Sequence, residues 1–138
     1  MNHGVLKIML VDDDKEDREF LHFLFSKNAK FEIVGCFDSA ERIIEEITIN
    51  KNIPDLLMMD LYMPLMNGDE ALHELILKHA APGMFTFIIS TTINENAEEK
   101  FTANKNVRFL KKPATLKEIN DLPGIILESL DHRNNTKV

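Results

Sequence analysis

"PDLLMMD", Pro54 to Asp60, holds four large apolar residues in a row and stops on an acid. A strand with one wet face would alternate apolar and polar residues. Leu56, Leu57, Met58 and Met59 leave no face fit for water, so the segment predicts a short strand covered on both sides, as in a parallel sheet. "MFTFIIS", Met84 to Ser90, repeats the pattern and ends on a hydroxyl. Working outward, "VLKIMLV" (Val5 to Val11), "FEIVGCF" (Phe31 to Phe37) and "VRFLKK" (Val107 to Lys112) also read as strands.

Helical periodicity fills the intervals. Lys15 to Lys27 carries Phe20, Leu21, Leu24 and Phe25 at helical spacing. "SAERIIEEI" starts on Ser39 as a cap and gathers Ile43, Ile44 and Ile47 on one face. "NGDEALHELILKHA" (Asn67 to Ala80) predicts a third helix and "NENAEEKFTAN" (Asn94 to Asn104) a polar fourth. A fifth follows Pro113, with Pro123-Gly124 inside it; interior Pro and Gly cost about 3 and 1 kcal/mol, so this helix starts late or comes in two pieces. Strands alternating with helices predict a doubly wound, flavodoxin-like α/β fold with five parallel strands in the order 2-1-3-4-5.

Composition agrees with one such domain. The chain has 138 residues, 44% of them hydrophobic, enough for a single packed core. We expect one domain over 1–138, with a core of about 5–131 and a polar tail at 132–138. A net charge of -7 argues against direct DNA binding, which needs a basic face. Cys36 is the single cysteine, so no internal disulfide is available. No apolar run reaches the ~18 residues of a membrane span or forms a secretion signal, and the expected location is cytoplasmic.

In doubly wound sheets ligands bind beyond the carboxyl ends of the strands, where strand order reverses. Asp12, Asp13 and Asp14 follow strand 1, Asp60 ends strand 3, Ser90 ends strand 4 with Thr91 and Thr92 behind it, and Lys111 and Lys112 end strand 5. Taken singly, each has an ordinary explanation: a turn, a cap, a buried hydroxyl, a solvated lysine. Jointly they place acids, a hydroxyl and a cation on one rim. Two carboxylates about 4 Å apart repel by ~4 kcal/mol at an effective dielectric near 20, so three require a compensating cation. With only oxygen ligands on offer, a hard ion fits, Mg2+ rather than Zn2+. Such a set suits phosphoryl chemistry, with an aspartate as nucleophile.

The segments "MLVDDD", "DLLMMDLYMPLMNG", "FIISTT" and "RFLKKP", in that order and spacing, resemble the response-regulator receiver domains of bacterial two-component signalling, in the single-domain, CheY-like form. The resemblance covers Lys7 to about Leu130. It implies that Asp60 is the phosphoacceptor. Asp13, Asp60 and the backbone carbonyl of Tyr62 would ligate Mg2+, with Asp12 acting through a bound water. Ser90 would hydrogen-bond the phosphoryl group and Lys112 would pair with it, although Thr91 and Thr92 remain alternatives for the hydroxyl. Asp14 would serve as a helix cap or stay solvated. The resemblance further implies a cis Lys112–Pro113 peptide, an aromatic switch at Phe109 coupled to Ser90, and an influence of Tyr62 and Thr92 on dephosphorylation.

The implied partner is a histidine kinase or phosphotransfer protein, and the implied output is a changed surface on helix 4, strand 5 and helix 5 that regulates another protein. No turnover of a separate substrate is expected, and a homodimer is left open. Two rivals compare poorly with the residues. A haloacid-dehalogenase-type phosphatase needs Asp-x-Asp-x-Thr/Val, and Glu16 occupies the fifth position. A docking-only adaptor on the same fold would lack an acceptor, a metal acid or the lysine, and all are present. A calcium loop over Asp12 to Asp17 lacks its glycine; Asp17 stands there.

Overall fold

A computed structural model describes residues 4–61, 83–91, 99 and 106–135. Its five strands are β1 (Leu6–Val11), β2 (Phe31–Phe37), β3 (Leu56–Asp60), β4 (Phe85–Ser90) and β5 (Val107–Lys111). They form one sheet of order β2-β1-β3-β4-β5, every pairing parallel, as the alternating pattern predicts. β1 sits between β2 and β3, so the strand order reverses beside it.

Burial follows from position in the sheet. Every residue of β3 and β4 is buried, Thr86 and Ser90 included, so neither segment has a face in water. β2 and β5 lie at the edges and expose part of each strand. The side chains divide by the period of 2. Ile8, Leu10, Leu56, Met58, Phe85, Phe87 and Ile89 face one way. They pack against Leu21 and Phe25 of α1 (Lys15–Ser26) and Leu122, Ile126 and Leu130 of the C-terminal helix (Leu116–Asn135). Met9, Val11, Leu57, Met59 and Ile88 face the other way, onto Ala40, Ile43 and Ile47 of α2 (Ala40–Thr48). The β1–β2 register slips between Ile8 and Met9, where Gly35 lies under the Phe37 ring; a Cβ there would meet that ring at 2.6 Å.

Both early helices start where a cap is available. The Asp14 carboxylate accepts the Asp17 N–H at 3.0 Å, and Ser39 Oγ accepts the Arg42 N–H at 3.4 Å. Within α1, Leu21 and Phe25 are buried while Phe20 is 41% exposed, so the apolar stripe is narrower than its spacing suggests.

The C-terminal helix departs from expectation. It neither starts late nor breaks: Leu116–Asn135 is one α-helix with Pro123 inside. Its start is a capping box. Thr115 Oγ1 accepts the Glu118 N–H at 3.1 Å, and Glu118 Oε1 accepts the Thr115 N–H at 3.1 Å. Downstream, Leu122, Ile126 and Leu130 recur every four residues and are buried on the sheet. Burying three such side chains contributes roughly 1.5–3 kcal/mol each, which outweighs the ~3 kcal/mol of an interior proline. The third expected helix and, apart from Glu99, the fourth, together with Tyr62 and Thr92, lie outside the described residues. Among the described residues, no helix is long and apolar enough to cross a membrane.

Candidate functional site

β1 delivers its acids through a tight turn. Asp12 N–H donates to Phe37 O at 3.1 Å, extending the ladder by one residue. The Asp12 side chain is fully buried, and its Oδ1 accepts the Asp14 N–H at 2.9 Å. That bond turns the chain so that Asp13 is exposed while Asp14 caps α1. Asp60 ends β3 beside β1 and is 8% exposed. One carboxylate oxygen each from Asp12, Asp13 and Asp60 lies within 4.8 Å of the others. The cluster therefore brings together residues 48 positions apart in sequence.

Lys112 comes from the opposite edge. Its backbone N–H donates to Ser90 O at 2.6 Å, which ties the residue after β5 to the end of β4. The ammonium then reaches Asp12 Oδ2 at 3.0 Å and Asp60 Oδ2 at 3.3 Å. It also reaches Asp17 Oδ2 at 2.7 Å, the shortest of the three contacts. In the sequence Asp17 stands out only as the residue that replaces the glycine of a calcium loop. The usable signal was its place three residues after the Asp14 cap, in the first turn of α1, but the rotation of α1 about its axis decides which way that turn faces.

Three carboxylates thus contact one lysine and Asp13 joins two of them in the cluster, so acids outnumber the cation in the pocket. The metal-site donors Asp12, Asp13 and Asp60 offer oxygen alone, without sulfur or imidazole. Oxygen donors a few ångströms apart fit Mg2+, which takes one or two carboxylates and retains several waters. Both Asp12 oxygens already hold hydrogen bonds, to Asp14 N–H and Lys112, whereas Asp13 is exposed and turned toward the cluster.

Ser90 is buried at the end of β4, one residue beyond Ile89, the register partner of Asp60, while Thr91 is exposed. Phe109 pairs with Ile88 across β4 and β5 and packs half-buried on the cluster beside α2. No cis peptide occurs among the described residues, so Lys112–Pro113 is trans, contrary to expectation. The trans form is the ground state of an X–Pro bond by about 0.5–1 kcal/mol, and in it Lys112 makes both its backbone bond to Ser90 and its carboxylate contacts.

A family model for the "Response regulator receiver domain" matches residues 8–122, nearly the whole sheet and all the site residues. The chain belongs to the response regulator receiver domain family. Among curated relatives, the receiver is 38% identical over 93 residues to the transcriptional regulatory protein YdfI of Bacillus subtilis, covering 65% of this chain and 39% of that protein. It is 29% identical over 111 residues to a protein-glutamate methylesterase/protein-glutamine glutaminase of Geobacillus kaustophilus, covering 79% and 30%. The chain therefore spans about a third of the length of the curated relatives it matches. A CheY-like receiver domain from Methanospirillum hungatei superposes with a TM-score of 0.72 at 22% identity, covering 96% of this chain and 98% of that one. The family match sets aside the dehalogenase-type phosphatase.

Charge and burial oppose each other in the receiver pocket. Burial pushes the Asp12 carboxyl above the usual aspartate range, against the Asp14 N–H and Lys112, which pull it down. Burial also pulls on the Lys112 ammonium in the neutral direction, but Asp17, Asp12 and Asp60 together outweigh it and hold the lysine above its ordinary range. Lys112 is thus a permanent cation in this site.

Proposed function

We propose that this receiver is a phosphoacceptor switch: Asp60 takes a phosphoryl group from a histidine kinase or phosphotransfer protein. The observation that carries the reading is the Lys112 ammonium lying 3.3 Å from Asp60 and 3.0 Å from Asp12, with Asp13 completing an acidic cluster. A carboxylate oxygen of Asp60 forms the new O–P bond. The P–N bond of the donor phosphohistidine breaks, and its electron pair stays on the imidazole nitrogen, which then takes a proton. Lys112 offsets charge on the phosphoryl oxygens, and Ser90 donates a hydrogen bond to one of them. Asp13 and Asp60 would hold Mg2+, with Asp12 acting through water and, as the family resemblance implies, the Tyr62 carbonyl joining them. When bound there, the ion would supply positive charge to offset that of the transferring group.

The signal then passes from the pocket to the surface. Drawing Ser90 toward the phosphoryl group vacates space near β4, and Phe109, packed one strand away opposite Ile88, rotates into it. The altered surface is the segment before β5, β5 itself and the start of the C-terminal helix. A partner that prefers the altered surface is regulated; equal affinity for both states would shift nothing. The acidic chain acts by protein contact rather than on DNA, turns over no separate substrate, and works in the cytoplasm with its kinase.

Intact-mass measurement after incubation with acetyl phosphate and Mg2+ tests the chemistry. One phosphate adduct is expected on the wild type and none on Asp60→Asn. An unmodified wild type under several donors would favour a receiver that works by docking alone.

A further inference from the structure

Lys112 is shared more widely than the phosphoryl chemistry requires. Its shortest contact is to Asp17, on α1, rather than to either pocket acid. Asp17 is held in place by backbone geometry. Asp12 Oδ1 accepts the Asp14 N–H, Asp14 Oδ1 accepts the Asp17 N–H, Asp17 Oδ2 contacts Lys112 Nζ, and Lys112 Nζ returns to Asp12 Oδ2. The ring closes on itself and fixes the lysine from both sides. Asp17 lies outside the metal cluster, and its side chain is 46% exposed against 15% for Lys112. An acid in the first turn is favoured by the helix dipole alone, but that effect does not require an ion pair across to β5.

We infer that Asp17 is a positioning residue for the phosphoryl chemistry, holding the Lys112 ammonium toward α1 so that a phosphoryl group on Asp60 must compete with it for the lysine. The inference rests on the phosphoacceptor reading of Asp60. Asp17 also has somewhere to go when it loses that competition. It lines a cleft of about 230 Å³ between α1 and the C-terminal helix, walled by Phe20, Leu24, Pro113 and Ile119. Lys112 lines the same cleft, and the Asp17 side chain is already 46% exposed at its mouth, so releasing the lysine leaves the carboxylate in water and does not strand a buried charge. The ring thus lowers the standing affinity of the pocket for a phosphoryl group and shortens the life of the phosphorylated state.

The test compares wild type, Asp17→Asn and Asp17→Glu at saturating Mg2+. Beryllofluoride affinity serves as a binding readout, and the rates of Asp60 labelling by acetyl phosphate and of label loss serve as kinetic ones. Asp17→Asn should bind beryllofluoride and label about three- to tenfold better, the size expected of a half-exposed unit charge beside the site, and should lose the label more slowly. Asp17→Glu, which keeps the charge, should stay near wild type. Magnesium affinity, read from the melting temperature, should move the other way and fall slightly in Asp17→Asn, since one acid fewer attracts a cation less. A purely structural role predicts that anion and cation affinities fall together or not at all, and either result overturns the inference. Failure of the wild type to label at all would instead overturn the phosphoacceptor reading itself.

Discussion

Replacing Lys112 with Met keeps most of the stem's volume and removes the charge. At an effective dielectric near 20, unit charges at the observed 3.0 and 3.3 Å attract by about 5 kcal/mol each. Desolvation of the ammonium offsets much of this. Breaking a buried pair by removing one partner costs about 3–5 kcal/mol, because the other charge is left uncompensated. Asp12 is fully buried, but Asp60 and Lys112 keep some solvent contact, which favours the lower end, about 3 kcal/mol. With an unfolding entropy of ~2.1 cal/mol/K per residue, 138 residues translate this into a drop of about 10 °C in Tm. Thermal unfolding in a chelator, followed by circular dichroism, measures it. The deficit should also depend on pH. Burial raises the Asp12 carboxyl above its ordinary value, so the folded state binds that proton more tightly than the unfolded state. For such a group, stability is lost as pH rises through the folded value and regained as pH falls. Without Lys112 the carboxyl rises further, and the deficit should shrink as pH falls from neutral through that raised value. If Lys112→Met melts with the wild type in chelator at neutral pH, the lysine does not hold these carboxylates together and the electrostatic account of the pocket is wrong.

Magnesium should stabilise the unmodified wild type by about 1.4 kcal/mol at tenfold excess over Kd, and Asp13→Ala should abolish that response in the melting curve; an undiminished response would remove Asp13 from the metal site. Thr115→Ala should cost about 1 kcal/mol in urea unfolding by opening the capping box that starts the C-terminal helix. Glu118, held below the usual glutamate range first by the Thr115 and then the Ala114 N–H, stabilises the fold above its ordinary pKa and loses that effect as pH falls through the lowered one. Glu118→Gln should therefore flatten the acid limb of the stability curve in that window.

Periodicity alone carried most of the fold. Leu56 to Met59 has no polar residue and Phe85 to Ser90 is mostly apolar and buried throughout, as suits the interior of a parallel sheet. The acids, the hydroxyl and the lysine were legible as well, because strand ends in this topology converge on one rim. What the sequence could not carry were matters of orientation and competing energies. Pro123-Gly124 reads as a break, yet the helix runs through it, because the burial of Leu122, Ile126 and Leu130 on the sheet outweighs a local backbone cost. The Thr115–Glu118 capping box was readable in the letters T-x-x-E, but it gains meaning only once a helix is known to start there. The role of Asp17 is decided by tertiary structure alone. In sequence it is one acid among several; in space the rotation of α1, set by Leu21 and Phe25 packing on the sheet, aims it at a lysine 95 positions away. Side-chain type and spacing determine which groups can meet at a strand end, while the packing of whole helices decides which of them share a proton donor.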